Sequence, residues 1–253
     1  HSLFDLTDMD HQGMLVEGYD VLDRFITIYN HPYYIEHMEN LGFEKEVDWV
    51  EYQILVPREP LEKYARISAI VKKKYGYKLI EFNHKKDILP WAQRVFDLYN
   101  TAYEPLFGTT ELSQAQIDMY IDAFFGFVNP DFIKVVVDKD DNVIGFGIAL
   151  PSLSKAMQKA KGRLFPFGFI HILRAIRKND TLDLYLVAVH PDYQGTGANA
   201  LLMDSILRAA IKNGITISET GPELENNVQV QSMWKDVERR QHRRRRVFKK
   251  KLV

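Results

Sequence analysis

Residues 182–203 constrain the fold of this chain more than any other stretch. Residues 182–189 are an almost continuous apolar run, and Pro191 prevents further strand pairing directly after it. Beyond a turn that contains Gly195 and Gly197, apolar residues recur at helical spacing. The stretch therefore predicts a buried central strand, a glycine turn and a helix. The unpaired backbone N–H groups at the start of such a helix, together with its dipole, favour the binding of an anion.

The two glycines suit a turn that binds a pyrophosphate. Glycine lets the anion approach the main chain and adopts positive φ without strain. The turn has the sequence Gln194-Gly-Thr-Gly-Ala-Asn199. It resembles the acyl-CoA-binding motif of the GNAT superfamily of N-acetyltransferases, Arg/Gln-x-x-Gly-x-Gly/Ala, except that Asn199 stands where the family usually has Gly or Ala. The resemblance implies that the cofactor is bound by Gln194, Gly195, Thr196, Gly197, Ala198 and Asn199.

The elements around this turn follow in the order that a GNAT domain requires. The resemblance implies a mixed α/β fold of GNAT type, in which helices flank a twisted mixed sheet. It also implies that the turn lies at a splay between the strands that end at Val189 and Thr220. The predicted elements are strands at 77–83, 132–138, 143–150 and 215–220, helices at 87–103, 113–127 and from Asn227 to about residue 238, and a last strand to Leu252.

The first part of the chain resembles the end of a second GNAT domain. A helix after Pro32 stops at Gly42, and residues 43–56 then form a long extended stretch. Residues 30–56 and 227–253 share this layout. We therefore predict that residues 1–57 are the C-terminal half of a degenerate GNAT-like domain, 58–76 a connector helix, and 77–253 a complete GNAT-like domain. Because the chain begins with His1, we expect it to be a piece of a longer tandem protein.

Residues 152–180 are an insertion where the family normally has a short connection. The pattern predicts two helices, the second of them unusually apolar. A connection of this length either packs against a neighbouring unit or has a function. Two roles stay open, packing against the first half-domain and acting as a lid or a wall of the acceptor pocket.

The resemblance to GNAT enzymes implies chemical roles for particular positions of this chain. In GNAT enzymes a main-chain N–H near the end of the key strand polarises the thioester carbonyl, and this position maps to the segment from Val187 to Val189. Asn227 matches an asparagine that often hydrogen-bonds the pantetheine arm. The family's usual tyrosine acid is missing from the helix at 227–238, which has Trp234 instead.

Three residues are candidates for the catalytic groups. Strand alternation predicts that Asp183, Tyr185, Val187 and Val189 share one face. Tyr185 stands where many family members carry a glutamate. Asp183, acting through water, and Glu219, at the end of the neighbouring strand, are the carboxylates that remain as possible bases.

These features predict an acyl-CoA-dependent N-acyltransferase, with acetyl-CoA or another acyl-CoA as cosubstrate and a small-molecule or peptide amine as acceptor. Two alternatives stay open. One is a catalytically silent GNAT-like module that binds CoA or a partner. The other is a Fem-type aminoacyl transferase, since such enzymes also pair two GNAT-like units and the chain has a basic C-terminal run at residues 239–251.

The composition of the chain excludes several kinds of site and argues against several partners. The chain has no cysteine, which excludes disulfides, thiolate metal sites and a cysteine nucleophile. We expect no metal, no membrane partner and a cytoplasmic location, because no apolar run is long enough to span a bilayer and no signal peptide is visible. The basic run is interpreted as a solvated strand with local anion contacts. Nucleic acid is not an expected partner because Phe248 is the only aromatic residue within that run. The oligomeric state is left open.

Overall fold

The computed structural model describes residues 12–251, which form a mixed nine-stranded sheet with helices on both faces. The expected α/β architecture of GNAT type is confirmed. The strands are β1 (Met14–Glu17), β2 (Glu44–Leu55), β3 (Lys78–Ile80), β4 (Ile133–Val137), β5 (Val143–Pro151), β6 (Thr181–Val189), β7 (Ile217–Glu219), β8 (Glu223–Leu224) and β9 (Arg239–Lys249). The helices are α1 (Tyr33–Asn40), α2 (Glu62–Tyr75), α3 (Leu89–Tyr103), α4 (Gln114–Phe125), α5 (Ser154–Lys159), α6 (Gly168–Arg177), α7 (Ala198–Lys212) and α8 (Val228–Ser232).

The strand order is β1-β9-β2-β7-β6-β5-β4-β3, with β8 also paired to β2. Neighbouring strands are antiparallel except for β6 and β7, which are parallel. Helices α3 and α4 cover one face of the sheet, where Phe96, Ile117 and Phe146 belong to the same buried cluster. Helices α2 and α7 cover the other face, where Val71 and Leu201 are buried together. The central strand β6 therefore lies between two apolar layers.

Local sequence signals account for several helix ends. Ser113 caps α4, since its hydroxyl accepts the N–H of Gln116 and the Gln116 side chain accepts the N–H of Ser113. Gly76 ends α2 in the left-handed conformation. The helix expected from Asn227 to about residue 238 is shorter than predicted and ends at Ser232. The chain turns after that point, and the Trp234 side chain is buried where its indole N–H reaches Glu223.

Strand β2 lies between β7 and β9. It comes from the chain before helix α2, yet it separates two strands that follow α2. The sheet is therefore continuous across the predicted boundary between residues 57 and 58. The division into a half-domain, a connector and a complete domain stays a prediction, but any such division has to assign β2 to the sheet that contains β6.

Most of the basic C-terminal run forms β9. The expectation of a solvated strand is wrong for the centre of this strand, although Arg239, Arg240 and Lys249 at its ends are exposed. The side chains of Arg243 and Arg245 have no exposed surface. Arg245 donates from Nε to Glu51 Oε1 at 2.7 Å, and Arg243 Nε lies 3.0 Å from Glu51 Oε2. On the opposite face, Arg244 and Arg246 pair with Asp48. Because β1 and β2 flank β9, its four central arginines, at 243–246, pair with carboxylates of the same chain.

Glu51 is the centre of this network, so its charge tests how much the network stabilises the fold. We expect Glu51→Gln to lower the free energy of unfolding by about 3 kcal/mol, because two buried guanidinium groups lose their shared counter-charge. Urea denaturation followed by circular dichroism measures the change. The same substitution at the exposed Glu59 is the matched control. Equal stabilities of the two variants would show that the buried pairs contribute nothing.

His242 gives the network a pH dependence. It is buried, and burial together with the neighbouring Arg243 lowers the pKa of His242 from 6.5 to about 4. As the pH falls, His242 is therefore protonated in the unfolded chain near its ordinary pKa, whereas in the folded chain it stays neutral until the pH approaches 4. We expect the free energy of unfolding to fall by about 3 kcal/mol between pH 7 and pH 4 because of this group alone. The contribution of His242 is fully present above its pKa in the unfolded chain and is lost as the pH falls towards its folded pKa.

Stability curves at several pH values test this expectation. His242→Gln should flatten the decline, whereas His37→Gln, an exposed histidine in α1, serves as the control for loss of an imidazole. An unchanged slope in His242→Gln would contradict the assignment.

Candidate functional site

Strands β6 and β7 separate after three residue pairs. They pair in register from Thr181–Ile217 to Asp183–Glu219, and the N–H of Gly221 donates to Leu184 O at 3.0 Å as the last link. Beyond this point β6 continues to Val189 without β7 beside it. The expected splay is confirmed, and it opens into a cleft of about 760 Å³, a volume typical of ligand sites.

A β-bulge lies at Tyr185. Leu184 is opposite Ala149 and Leu186 is opposite Ile148, so Tyr185 is an extra residue in β6. The bulge shifts the alternation of side chains. Tyr185 packs on the α3–α4 side of the sheet with Leu186, whereas Val187 packs on the α7 side. The prediction that Tyr185, Val187 and Val189 share one face is therefore wrong.

The free edge of β6 presents the backbone of Val187 and Val189 to the cleft. His190 donates its N–H to Ile144 O in β5, so alternate residues point towards β5. The Val187 carbonyl instead accepts Tyr103 Oη at 3.2 Å, and the Val189 carbonyl accepts Gln194 Nε2 at 3.4 Å. The N–H and C=O of one residue point to the same edge of an antiparallel strand. The N–H groups of Val187 and Val189 therefore face the splay.

The turn between β6 and α7 has the geometry of an anion cradle. Gly195 and Gly197 have φ of +75° and +92°, and α7 begins at Ala198. In the described part of the chain, hydrogen bonds account for the N–H groups of Gln194, Thr196 and Ala200 but for none of Gly195 and residues 197–199. Unpaired donors at the start of a 15-residue helix, reinforced by its dipole, favour an anion.

The two glycines of the turn have different steric roles. A Cβ on Gly197 would lie 2.6 Å from Val71 Cγ2, so this glycine lets α2 pack against the turn. A Cβ on Gly195 would meet nothing within 4 Å. Gly195 therefore faces open space, and it is the better position for probing a bound anion without disturbing α2.

The structure brings most of the predicted site residues to one cleft. The cleft is lined by Tyr185, Val187, Val189, Gln194, Gly195, Gly197, Ala198, Asn199 and Asn227. Thr196 is not in its lining, and its hydroxyl donates to Tyr193 O at 2.6 Å. Asn227 caps α8 with its side-chain oxygen, which accepts the N–H of Val230.

Asp183 and Glu219 do not line the cleft. Asp183 is 1% exposed, and its Oδ1 lies 3.8 Å from Arg24 Nε. Burial raises the pKa of Asp183, while the Arg24 charge acts in the opposite direction. The Glu219 carboxylate accepts hydrogen bonds from Arg243 and Gln53. Both carboxylates belong to the buried charge network at the base of the splay.

Two residues that the sequence did not single out line the cleft. Glu223 is 8% exposed, and its Oε1 accepts the indole N–H of Trp234 at 2.7 Å. Tyr64 of α2 donates its hydroxyl to Met233 O, and burial raises the pKa of Tyr64 to about 12. The sequence did contain a signal that could have identified Glu223. It directly follows the Gly221-Pro222 turn near the carboxyl end of β7, and ligands commonly bind at the carboxyl ends of parallel strands.

Two further observations concern the described residues only. Within residues 12–251 no group of three or more His, Cys, Asp or Glu side chains is placed to hold a metal ion. None of the helices in that range is long and apolar enough to cross a bilayer.

The family model of the acetyltransferase (GNAT) family matches residues 92–237, which is more than half of the chain. The chain therefore belongs to this family of transferases. Among curated proteins it is similar to Protein YghO of Escherichia coli strain K12, with 22% identity over 98% of this chain and 65% of that protein. The chain thus spans slightly less than two thirds of the length of this relative.

Solved structures share the fold at low identity. A GCN5-related N-acetyltransferase from Sphaerobacter thermophilus aligns with a TM-score of 0.56 and 11% identity, over 85% of this chain and 55% of that one. The GCN5-related glucosamine N-acetyltransferase region of a fungal multi-domain GH3 β-N-acetylglucosaminidase aligns with a TM-score of 0.53 and 11% identity, over 94% of this chain and 24% of that one. At such identities the likeness extends to the fold alone.

Proposed function

We propose that this chain is an acyl-CoA-dependent N-acyltransferase that moves an acetyl group from acetyl-CoA to the amine of a small molecule or peptide. One observation carries the proposal. The unpaired N–H groups of Gly195 and residues 197–199 and the free edge of β6 at Val187 and Val189 line the same cleft. Family membership supplies the reaction class.

The cleft offers a site for each part of the cosubstrate. The pyrophosphate binds the N–H groups of the turn, where the α7 dipole also favours negative charge. The pantetheine arm lies along the free edge of β6, and the Asn227 amide group donates to it. The N–H of Val187 or Val189 then polarises the thioester carbonyl and stabilises the oxyanion that forms on it. The amine nitrogen attacks the carbonyl carbon, the C–S bond breaks, and CoA leaves as the thiolate.

The amine must lose a proton during this reaction, and Glu223 is the carboxylate we assign to accept it. It lines the cleft, whereas Asp183 and Glu219 do not. Trp234 fixes the position of the Glu223 carboxylate through the 2.7 Å hydrogen bond from its indole N–H. A buried carboxylate with a fixed orientation is suited to general base catalysis. We assign Asp183 and Glu219 a structural role instead of the predicted role of catalytic base, because they pair with Arg24 and Arg243 at the base of the splay.

The silent CoA-binding module remains the main alternative, because the same cradle binds CoA whether or not transfer follows. Measuring the release of the CoA thiol in the presence of an amine distinguishes an acyltransferase from a silent module.

The Fem-type alternative drew its support from the basic run. Because the arginines at 243–246 are paired with carboxylates of the same chain, they are not free to bind a nucleic acid. The expected cytoplasmic location stays a prediction.

Gly195 provides the test of the cradle. We expect Gly195→Val to weaken acetyl-CoA binding by at least about tenfold, because a branched side chain occupies the space that the pyrophosphate needs and one charge-assisted hydrogen bond is lost. Isothermal titration calorimetry measures the affinity. Gly214→Val is the matched control, since Gly214 ends the same helix with φ of +72° and also has open space around a Cβ.

The two valine variants should lose similar stability, so only affinity distinguishes them. If Gly195→Val binds acetyl-CoA as tightly as Gly214→Val does, the turn is a plain connection and the proposed function fails.

Glu223 tests the chemistry separately from binding. We expect Glu223→Gln to lower kcat by about 100-fold or more, the usual contribution of a general base, and to leave the acetyl-CoA Kd unchanged. Thiol release across a panel of primary amines measures kcat. Glu225→Gln is the control, because Glu225 pairs with Lys45 and does not line the cleft.

Two results would decide against the proposal. A parent protein that binds acetyl-CoA but releases no thiol with any amine supports the silent module. A fully active Glu223→Gln removes Glu223 from the mechanism.

A further inference from the structure

Residues 152–180, here called the insertion hairpin, consist of α5, α6 and the segments around them. The two helices contact each other, and Asn179 Nδ2 closes the base of the hairpin by donating to Ser152 O at 2.6 Å. Between α5 and α6, residues 160–162 and 165–167 form turns. The apolar side chains of this connection and of α6 are not buried as the expected packing against the first half-domain would require.

The insertion hairpin exposes a cluster of large apolar side chains. Phe165 is 79% exposed and is the most exposed large apolar side chain among residues 12–251. Phe167 is 70% exposed, Leu164 57% and Leu173 49%. Phe169 and Leu173 are four residues apart on α6, so they lie on one side of that helix. The rings of Phe165 and Phe169 lie 6.2 Å apart, and exposed apolar side chains grouped in this way mark an interaction site.

The insertion hairpin is also strongly basic. It has seven basic residues against the single acidic Asp180, a net charge of +6 in a chain whose total is −1. All seven are exposed, namely Lys155, Lys159, Lys161, Arg163, Arg174, Arg177 and Lys178. Lys155 pairs with Asp180, and the other six form no ion pair with any residue from 12 to 251. This is the reverse of β9, whose central arginines are neutralised inside the fold.

Apolar and basic groups are interleaved in the insertion hairpin. Arg163 directly precedes Leu164 and Phe165, and Arg174 directly follows Leu173. A partner that satisfies both kinds of group must present negative charge above an apolar layer. Nucleic acid supplies the charge without an apolar layer for the aliphatic side chains. The surface of an anionic bilayer supplies both, and basic segments with exposed Phe and Leu are typical of interfacial binding.

We propose that the insertion hairpin docks this protein on the surface of bilayers that contain anionic phospholipids. Phe165 and Phe167 enter the boundary between headgroups and acyl chains, and the unpaired cations contact lipid phosphates. This is attachment to one leaflet. The proposal departs from the sequence expectation of no membrane partner. It does not require a spanning helix, and residues 12–251 contain none.

Co-sedimentation with large unilamellar vesicles tests the proposal. The parent protein should bind vesicles of equal parts phosphatidylglycerol and phosphatidylcholine, should not bind pure phosphatidylcholine, and should dissociate at high salt. The double variant Phe165→Ser/Phe167→Ser should lower the partition coefficient by about tenfold or more. Its control is Ile70→Ser/Met119→Ser, which removes two apolar side chains with 55% and 54% exposure from other helices.

A charge series tests the electrostatic part. Lys159→Gln and Lys161→Gln should each lower the partition coefficient by about fivefold. Lys72→Gln and Lys73→Gln, which remove exposed cations from α2, should change it far less. In the single variant Phe165→Trp, tryptophan emission should shift to the blue on mixed vesicles but not on pure phosphatidylcholine.

Several results would overturn this proposal without touching the proposed function. They are absence of binding to the anionic vesicles, equal binding by Phe165→Ser/Phe167→Ser and its control, and no emission shift for Phe165→Trp. Salt-sensitive binding of tRNA in the absence of vesicle binding would assign the basic surface to nucleic acid instead. Acetyl-CoA affinity, measured on the variants of the insertion hairpin, should be unchanged in every case, because the insertion hairpin does not line the cleft.

Discussion

The bulge at Tyr185 is the constraint on which the functional part of the structure depends. One extra residue in β6 changes the direction of the strand just after its last pair with β7. Val187 and Val189 then keep their N–H groups on an edge that no strand covers. Buried main-chain donors are rarely left without a partner in folded proteins. In the proposed function, this edge and the turn at its end bind the amide and phosphate groups of the extended acyl-CoA.

The splay is maintained by residues outside the segment that matches the family. Arg24 donates to Thr220 O at 2.8 Å and to Leu184 O at 3.4 Å, which are the carbonyls at the point where the two strands part. Its charge also faces Asp183. Strand β2 completes the sheet beyond β7 and carries Glu51, which holds the arginines of β9. The first part of the chain therefore acts as a structural support for the cleft, whatever domain it originally belonged to.

The elements that could be predicted from the sequence are those determined by residues close together in the chain. The strand, the glycine turn and α7 follow from periodicity, from two positive-φ glycines and from Pro191. The capping box at Ser113 and the end of α2 at Gly76 are local in the same way. These features could be predicted because they depend on neighbours a few residues apart.

What the sequence did not predict depends on contacts between distant residues. A bulge breaks the two-residue period without leaving a trace in the apolar pattern of β6, so the faces of Tyr185 and Val187 were assigned wrongly. Arg245 and Glu51 are 194 positions apart, and a run of arginines looks solvated until the strands that flank it are known. Glu223 lies in the two-residue strand β8, where its position in the cleft depends on pairing with the distant strand β2 and on the hydrogen bond from Trp234.

In the proposed complex, acetyl-CoA binds along the free edge of β6, with its pyrophosphate on the turn. Residue-resolved amide hydrogen exchange, measured by NMR with and without acetyl-CoA, tests this most directly. We expect the amides of Val187, Val189, Gly195 and residues 197–199 to exchange more slowly when acetyl-CoA is bound, because each becomes a hydrogen-bond donor to the ligand. Binding that slows exchange elsewhere and leaves these amides unchanged would contradict the claim.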